Sequence, residues 1–161
     1  MLVDVYLAVA SKRDERRYDT RPIDEETVTR ILDAGRLSGS SRNAQAWEFV
    51  VVEDREALAR TVYAPENIRT AALAVAIVAE RAFDAGRVAQ NMMLAAWNDG
   101  VVSCPNGIRD EEAAERIVGA KPAIVISFGY PAKPRDPLQR TPQEWSARAK
   151  RKPLDEVVRR T

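Results

Sequence analysis

Histidine is absent from the 161 residues, and cysteine occurs once, at position 104. These two shortages exclude Ser-His-Asp and Cys-His catalysis, the usual zinc ligand sets and any intrachain disulfide. Without side chains that titrate near neutral pH, an enzyme of this composition would most simply take its reactive centre from a bound cofactor. A protein without catalytic activity is the alternative.

Long hydrophobic runs are also absent. The longest, Ala71 to Ala79, has the length of a strand rather than the roughly 20 residues of a membrane span. The first residues lack the pattern of a secretory signal. Lys and Arg (25) nearly balance Asp and Glu (24), which argues against a general nucleic-acid or membrane-surface binder. We therefore expect a cytoplasmic protein with one domain over residues 1–161, whose anion sites are local.

Glycine-rich phosphate loops are missing as well. The sequence contains neither G-x-G-x-x-G nor G-x-x-x-x-G-K-[ST], the signatures of dinucleotide-binding and P-loop proteins. A phosphate group, if one binds, must therefore be held by side chains.

Apolar periodicity and turn residues predict helices and strands in alternation. Helices are expected at 2–11, 24–37, 54–62, 83–98, 111–118 and from 154 onwards. Strands are expected at 47–53, 71–79, 100–107, where the strand runs into a turn, and 123–128. This order predicts an α+β or three-layer fold, with helices on both faces of a small mixed sheet.

Two polar segments stand out. Residues 12–18 (KRDERRY) place four cations within six residues, and residues 39–49 (GSSRNAQAWEF) place short hydroxyl and amide side chains just before a strand. The first segment is either a solvated basic surface or an anion site. The second is either an ordinary loop or a set of hydrogen-bonding groups for a flat heteroaromatic ring or a polyol.

Taken together and in order, these segments resemble the nitroreductase family of flavoproteins. The family begins with a basic pair, Ser or Asp, a variable residue, Arg, a variable residue and an aromatic, as in residues 12–18. Its second signature, S-x-x-N-x-Q-P-W-x-F, matches residues 40–49 except that Ala46 replaces the proline. Residues 84–100, 103–107, 129–131 and 151–154 are similar to the family's later segments, so the resemblance covers nearly the whole chain.

The resemblance implies a three-layer α/β/α fold with a mainly antiparallel sheet, and a homodimer with FMN at the subunit interface. It implies an oxidoreductase that takes hydride from NADH or NADPH at flavin N5 and reduces nitroaromatics, quinones or similar electrophiles in a ping-pong cycle. It implies no metal. A flavin carrier or sensor without turnover is one alternative, and a flavin-fragmenting or dehalogenating relative is another.

The family's site residues can be carried over to this sequence. The FMN phosphate is assigned to cations of both chain ends: Lys12, Arg13 and either Arg151 or Lys152. Arg16 is assigned to the N1 and C2 carbonyl edge of the flavin. The ribityl chain and pyrimidine edge are assigned to Ser40, Ser41, Asn43 and Gln45, partly across the dimer interface. The turn Pro105-Asn106-Gly107 is expected to direct a backbone N–H, that of Asn106, towards N5.

Several neighbouring side chains receive structural interpretations. Asp14 stands where many relatives have a phosphate-binding serine, so we expect its carboxylate to turn away and pair with an arginine. Cys104 is expected to be buried and unreactive, and Trp47 and Trp97 to serve packing. Trp145 is either a lid residue or a dimer contact. The alanine-rich face of the 83–98 helix is expected to pack against the partner subunit.

Overall fold

The computed structural model describes residues 4–161. The helices within this range are α1 (Val5–Ser11), α2 (Glu25–Arg36), α3 (Arg55–Ala59), α4 (Pro65–Arg69), α5 (Ala82–Asn98), α6 (Glu111–Val118), α7 (Pro142–Arg148) and α8 (Leu154–Val157). The strands are β1 (Trp47–Val51), β2 (Leu73–Ala79), β3 (Val102–Asn106) and β4 (Ile124–Gly129). Positions 2 and 3 of the first predicted helix lie outside the described residues. None of the described helices has the length and apolar character that crossing a membrane requires.

The four strands form one antiparallel sheet in the order β1-β2-β4-β3. Val75 of β2 pairs with Val51 of β1 and with Ile126 of β4, which confirms the run at 71–79 as a central strand. β3 lies at the edge. A parallel bridge joins Asp14 to Ser103 of β3, so the basic segment docks on that edge.

Side chains of β2 alternate between two hydrophobic layers, as the period of two in a strand requires. Val75 and Ile77 face α2 and α5 on one side of the sheet. Ala74 and Ala76 face α3, α4 and α6 on the other. Because both faces of β2 are covered, the strand carries apolar residues throughout rather than at every second position. The three-layer α/β/α expectation is confirmed.

The alanine-rich face of α5 packs inside the chain. Ala85, Ala89 and Ala96 belong to the core cluster that α5 forms with α2 and the sheet. Gly35 of α2 faces Met92, where a Cβ would lie 2.3 Å from the Met92 Cε, so glycine allows the close approach of the two helices. The interpretation of these alanines as a dimer surface was therefore wrong, since α2 of the same chain covers them.

Tyr18 fastens the end of the basic segment to β4. A Cβ added to Gly129 would lie 2.8–2.9 Å from three atoms of Tyr18, so the ring fits only against glycine. The Tyr18 hydroxyl hydrogen-bonds to the Ser127 Oγ at 2.8 Å. Burial raises the pKa of the Tyr18 phenol, which keeps the hydroxyl protonated.

We expect Gly129→Ala to destabilise the protein by about 1–3 kcal/mol, because the new methyl group would clash with the Cβ, Cγ and Cδ1 atoms of Tyr18. These atoms are close to the backbone and cannot move aside as the end of a flexible side chain can. Urea unfolding measures the change. Gly86→Ala is the matched control, since a Cβ at Gly86 on exposed α5 surface meets nothing within 4 Å. It should stabilise by about 0.5–1 kcal/mol. Equal effects of the two substitutions would contradict this account.

Candidate functional site

The basic segment runs along the outer edge of β3. The Glu15 N–H donates to the Ser103 carbonyl at 3.1 Å, and the Asp19 N–H donates to the Tyr130 carbonyl at 2.9 Å. Side chains of an extended segment alternate in direction. Lys12, Asp14 and Arg16 accordingly form one group, while Arg13 and Glu15 reach towards the C-terminal part of the chain.

Lys12 is engaged by the protein itself. Its Nζ lies 2.6 Å from the Asp14 Oδ1 and 3.2 Å from the Met93 sulfur, and its side chain is only 8% exposed. Asp14 therefore pairs with a lysine rather than with an arginine, and it borders the basic cavity described below instead of turning away from it. Lys12 keeps a third N–H donor, but the Asp14 carboxylate offsets its charge, which makes it a weaker partner for a phosphate than an unpaired cation.

Arg16 lies beside Cys104 of β3. Burial raises the pKa of the Cys104 thiol, while the charge of Arg16 and a hydrogen bond from it oppose that rise. The thiol is therefore protonated at neutral pH, and it is buried as expected. Arg16 itself is exposed, so its guanidinium is accessible next to the edge of the sheet.

Arg13 binds carbonyl oxygens at the ends of two helices. Its Nη1 donates to the Ala10 and Lys12 carbonyls at 2.7 and 2.6 Å, and its Nη2 donates to the Trp145 carbonyl at 2.8 Å. A guanidinium has five N–H donors, so donors remain for a ligand. Arg13 thus joins α1 to α7 and is also accessible from the space between them.

A cavity of about 420 Å³ opens between these elements. Its lining combines cations, two carboxylates, two tryptophans and small residues: Ser11, Arg13, Asp14, Glu15, Trp97, Val102, Arg135, Trp145, Arg148, Ala149 and Arg151. Arg151 is the tail cation that reaches the cavity, and Lys152 is not part of the lining. Burial and the nearby charge of Arg151 lower the pKa of Arg13. The positive charges of Arg13 and Arg151 are therefore close together in a partly desolvated space, and a bound anion would stabilise them.

Sequence reasoning missed two arginines of this cavity. Arg148 is the last residue of α7, and Arg135 forms an ion pair with Glu15. Burial would raise the pKa of Glu15, but the hydrogen bond and charge of Arg135 outweigh it and lower that pKa. The residues that begin α7, Thr141 to Glu144, form a capping box that the sequence displays as T-x-x-E. This motif could have been used to predict α7 and therefore the position of Arg148 at its end.

Asn106 is a buried residue of β3 rather than part of a turn. Its amide donates to the Cys104 carbonyl at 2.8 Å and to the Ser127 Oγ at 3.0 Å, and it accepts from Asn67 at 2.9 Å. Because the Ser103 carbonyl faces the outer edge, alternation along the strand directs the backbone of Asn106 towards β4. The interpretation of its N–H as a flavin contact does not fit this register. The next residue, Gly107, lies beyond the end of β3, and its carbonyl accepts from the Tyr63 N–H at 3.1 Å.

The polar loop before β1 lies elsewhere. Its hydroxyl and amide residues are more than one-third exposed except Ser40, which is partly buried; the set is Ser40, Ser41, Asn43 and Gln45. The Ser40 Oγ accepts from the Gln45 N–H at 2.9 Å, and Asn43 and Gln45 have φ of 54° and 50°. Such left-handed backbone at non-glycine residues is uncommon and occurs at functional sites.

Helix α5 separates this loop from the basic segment. Asn91 donates to the Ser38 Oγ at the base of the loop at 2.8 Å, whereas Met93 contacts Lys12. Two residues apart on a helix point about 200° apart. The predicted site residues therefore fall on opposite sides of α5 within one chain.

Comparison with known proteins places this arrangement in a family. The sequence model of the Nitroreductase family matches residues 9–83 and 76–130. The chain belongs to the Nitroreductase family. The chain is 28% identical to a protein of Methanothermobacter thermautotrophicus that is provisionally named an NADH dehydrogenase/NAD(P)H nitroreductase. The match covers 81% of this chain and 79% of that protein.

Solved structures show the fold. A nitroreductase family protein from Clostridium difficile superposes with a TM-score of 0.80 at 20% identity, covering 98% of both chains. An FMN-dependent nitroreductase from the same species has a TM-score of 0.72 at 24% identity, covering 80% of this chain and 88% of its own. The nitroreductase fold is thus shown along nearly the whole chain.

Asp14→Asn is expected to destabilise the ligand-free protein by about 1–3 kcal/mol, because the nearly buried Lys12 loses its carboxylate partner. The same change should strengthen anion binding, since one negative charge leaves the edge of the cavity. Urea unfolding and FMN titration measure the two effects. Glu111→Gln, which opens the exposed pair with Lys121, should leave both nearly unchanged. Loss of affinity in Asp14→Asn would show that the carboxylate assists binding.

Proposed function

We propose that residues 1–161 form one FMN-binding domain of an NAD(P)H-dependent oxidoreductase that reduces nitroaromatics, quinones or similar electrophiles. The observation that carries the proposal is the basic cavity whose lining includes Arg13 and Arg151, with the charges of these two arginines near each other. A phosphate monoester satisfies two such arginines, each through paired hydrogen bonds. The name of the archaeal relative supports the use of NAD(P)H, and that of one fold neighbour supports FMN.

Different residues of the proposed site would bind the phosphate and the flavin ring. Arg13 and Arg151 would bind the phosphate, and Arg16 would place a fixed cation at the flavin edge that gains negative charge on reduction. Bound FMN would supply the hydride-accepting and hydride-donating centre that a chain without histidine lacks.

The proposed assembly is a homodimer. Since α5 separates the polar loop from the basic segment, the loop of one subunit would serve the flavin of the other. Exposed apolar side chains support such an interface: Val5, Tyr6 and Val9 on α1, Phe83 on α5, and Leu154 and Val157 on α8. Phe83 and Leu154 are each 75% exposed, and burying such large apolar side chains at an interface would be favourable.

Purified protein tests the function directly. We expect a flavin absorption spectrum, FMN as the released chromophore, a mass of twice one chain by light scattering, and oxidation of NADH or NADPH with menadione as acceptor. A colourless protein that FMN cannot reconstitute would contradict the cofactor, and a monomer that binds FMN tightly would contradict the shared site. Bound FMN without turnover would identify a carrier or sensor instead.

Arg16→Ala tests the position of the flavin edge. A fixed cation at that edge stabilises the reduced cofactor more than the oxidised one, so its removal should lower the midpoint potential. A charge-assisted hydrogen bond of about 1.5–3 kcal/mol corresponds to a drop of roughly 30 to 65 mV in a two-electron couple. Redox titration of FMN-saturated protein measures it. The control is Arg17→Ala, an exposed neighbour of equal charge, which should leave the potential unchanged. Equal potentials for Arg16→Ala and wild type would remove Arg16 from the pyrimidine edge.

A further inference from the structure

Helix α7 is held against α1 by contacts that fix its direction. The Trp145 Nε1 donates to the Pro137 carbonyl at 2.9 Å, and the Trp145 carbonyl accepts from Arg13 at 2.8 Å. Two guanidinium groups lie near the Trp145 ring, that of Arg13 at 5.8 Å and that of Arg140 at 5.0 Å from its centroid. The helix ends at Arg148, and these contacts bring that residue to the wall of the basic cavity.

The charges around the cavity do not cancel. Asp14 is paired with Lys12, and Glu15 with Arg135. Within residues 4–161, the observed ion pairs include none of the three other arginines of the lining, which are Arg13, Arg148 and Arg151. Three guanidinium groups therefore line a space whose walls also include two tryptophans, Val102 and Ala149. Apolar walls weaken solvent screening, which strengthens both their mutual repulsion and their attraction for an anion.

We infer that Arg148 is a phosphate-binding residue of the proposed FMN site and takes the place that the family resemblance assigns to Lys12. This inference rests on the proposed function. Lys12 is withdrawn into the pair with Asp14, whereas Arg148 lines the cavity together with Arg13 and Arg151. Three arginines can together donate to all three terminal oxygens of a phosphate monoester. The planar guanidinium of Arg148 can donate two parallel hydrogen bonds to these oxygens, whereas the ammonium group of Lys12 acts as a point charge.

Titration of flavin-free protein with FMN and with riboflavin tests the role, because riboflavin lacks the phosphate. Arg148→Ala should weaken FMN binding by about 10- to 100-fold, the loss of one charge-assisted hydrogen bond, and leave riboflavin binding unchanged. Arg148→Lys, which keeps the charge but loses the planar fork, should fall between Arg148→Ala and wild type. Flavin fluorescence quenching gives the dissociation constants.

Arg140→Ala is the matched control. Arg140 contacts the same tryptophan but is not part of the cavity lining, so both flavins should bind to this variant as to wild type. Unchanged FMN affinity in Arg148→Ala would overturn the inference and leave the proposed function intact. An equal loss of FMN and riboflavin affinity would show that Arg148 acts through the fold of α7, which also overturns it. Wild-type protein that binds neither flavin would overturn the proposed function itself.

Discussion

The docking of the basic segment on the edge of β3 is the constraint on which the candidate site depends. One end is held by the Asp14–Ser103 bridge and the other by Tyr18, whose ring packs against Gly129 and whose hydroxyl bonds to Ser127. Between these points the chain is extended, so consecutive side chains must diverge. A cluster of cations that looks uniform in the sequence is thereby divided into one group beside β3 and another beside α7.

Carboxylates decide which of the cations remain available. Lys12 is almost buried, and a buried charge needs a partner, which Asp14 provides. Glu15 forms an ion pair with Arg135, whose side chain is about half exposed. Arg13, Arg148 and Arg151 share one cavity, and their mutual repulsion is a cost that the folded chain carries until an anion binds. An anion that relieves this repulsion stabilises the ligand-bound protein relative to the ligand-free protein, and no change in the fold is needed.

Local signals predicted most of the fold. The Asp24 side chain caps α2 by accepting from the Thr27 N–H, and the sequence displays that cap directly. β2 was recognisable because both of its faces are apolar. Helices α4 and α7 were missed because Pro65 and Pro142 suggested breaks, although proline is favourable in the first turn of a helix and stands there in both. The arginine that α7 contributes to the cavity was missed with the helix.

The sequence could not predict which distant segments lie close together in the folded chain. The polar loop and the basic segment are near in the chain and carry the two clearest motifs, yet α5 lies between them, because Asn91 and Met93 point in opposite directions. Likewise, the Lys12–Asp14 pair forms where α5 closes over the lysine. Motifs identify residue types that suit a ligand, whereas only packing decides which of them face the same space.

The lack of histidine has a consequence for the pH dependence of the proposed site. Arginine keeps its charge at any physiological pH, and the pKa of Arg13, although lowered, does not change that. The pKa of Glu15 is shifted downward and that of the Cys104 thiol upward, so both move away from neutrality. A phosphate monoester, in contrast, gains its second charge near pH 6. Binding should therefore strengthen as pH rises from about 5 to 7, because the phosphate gains its second negative charge over that interval.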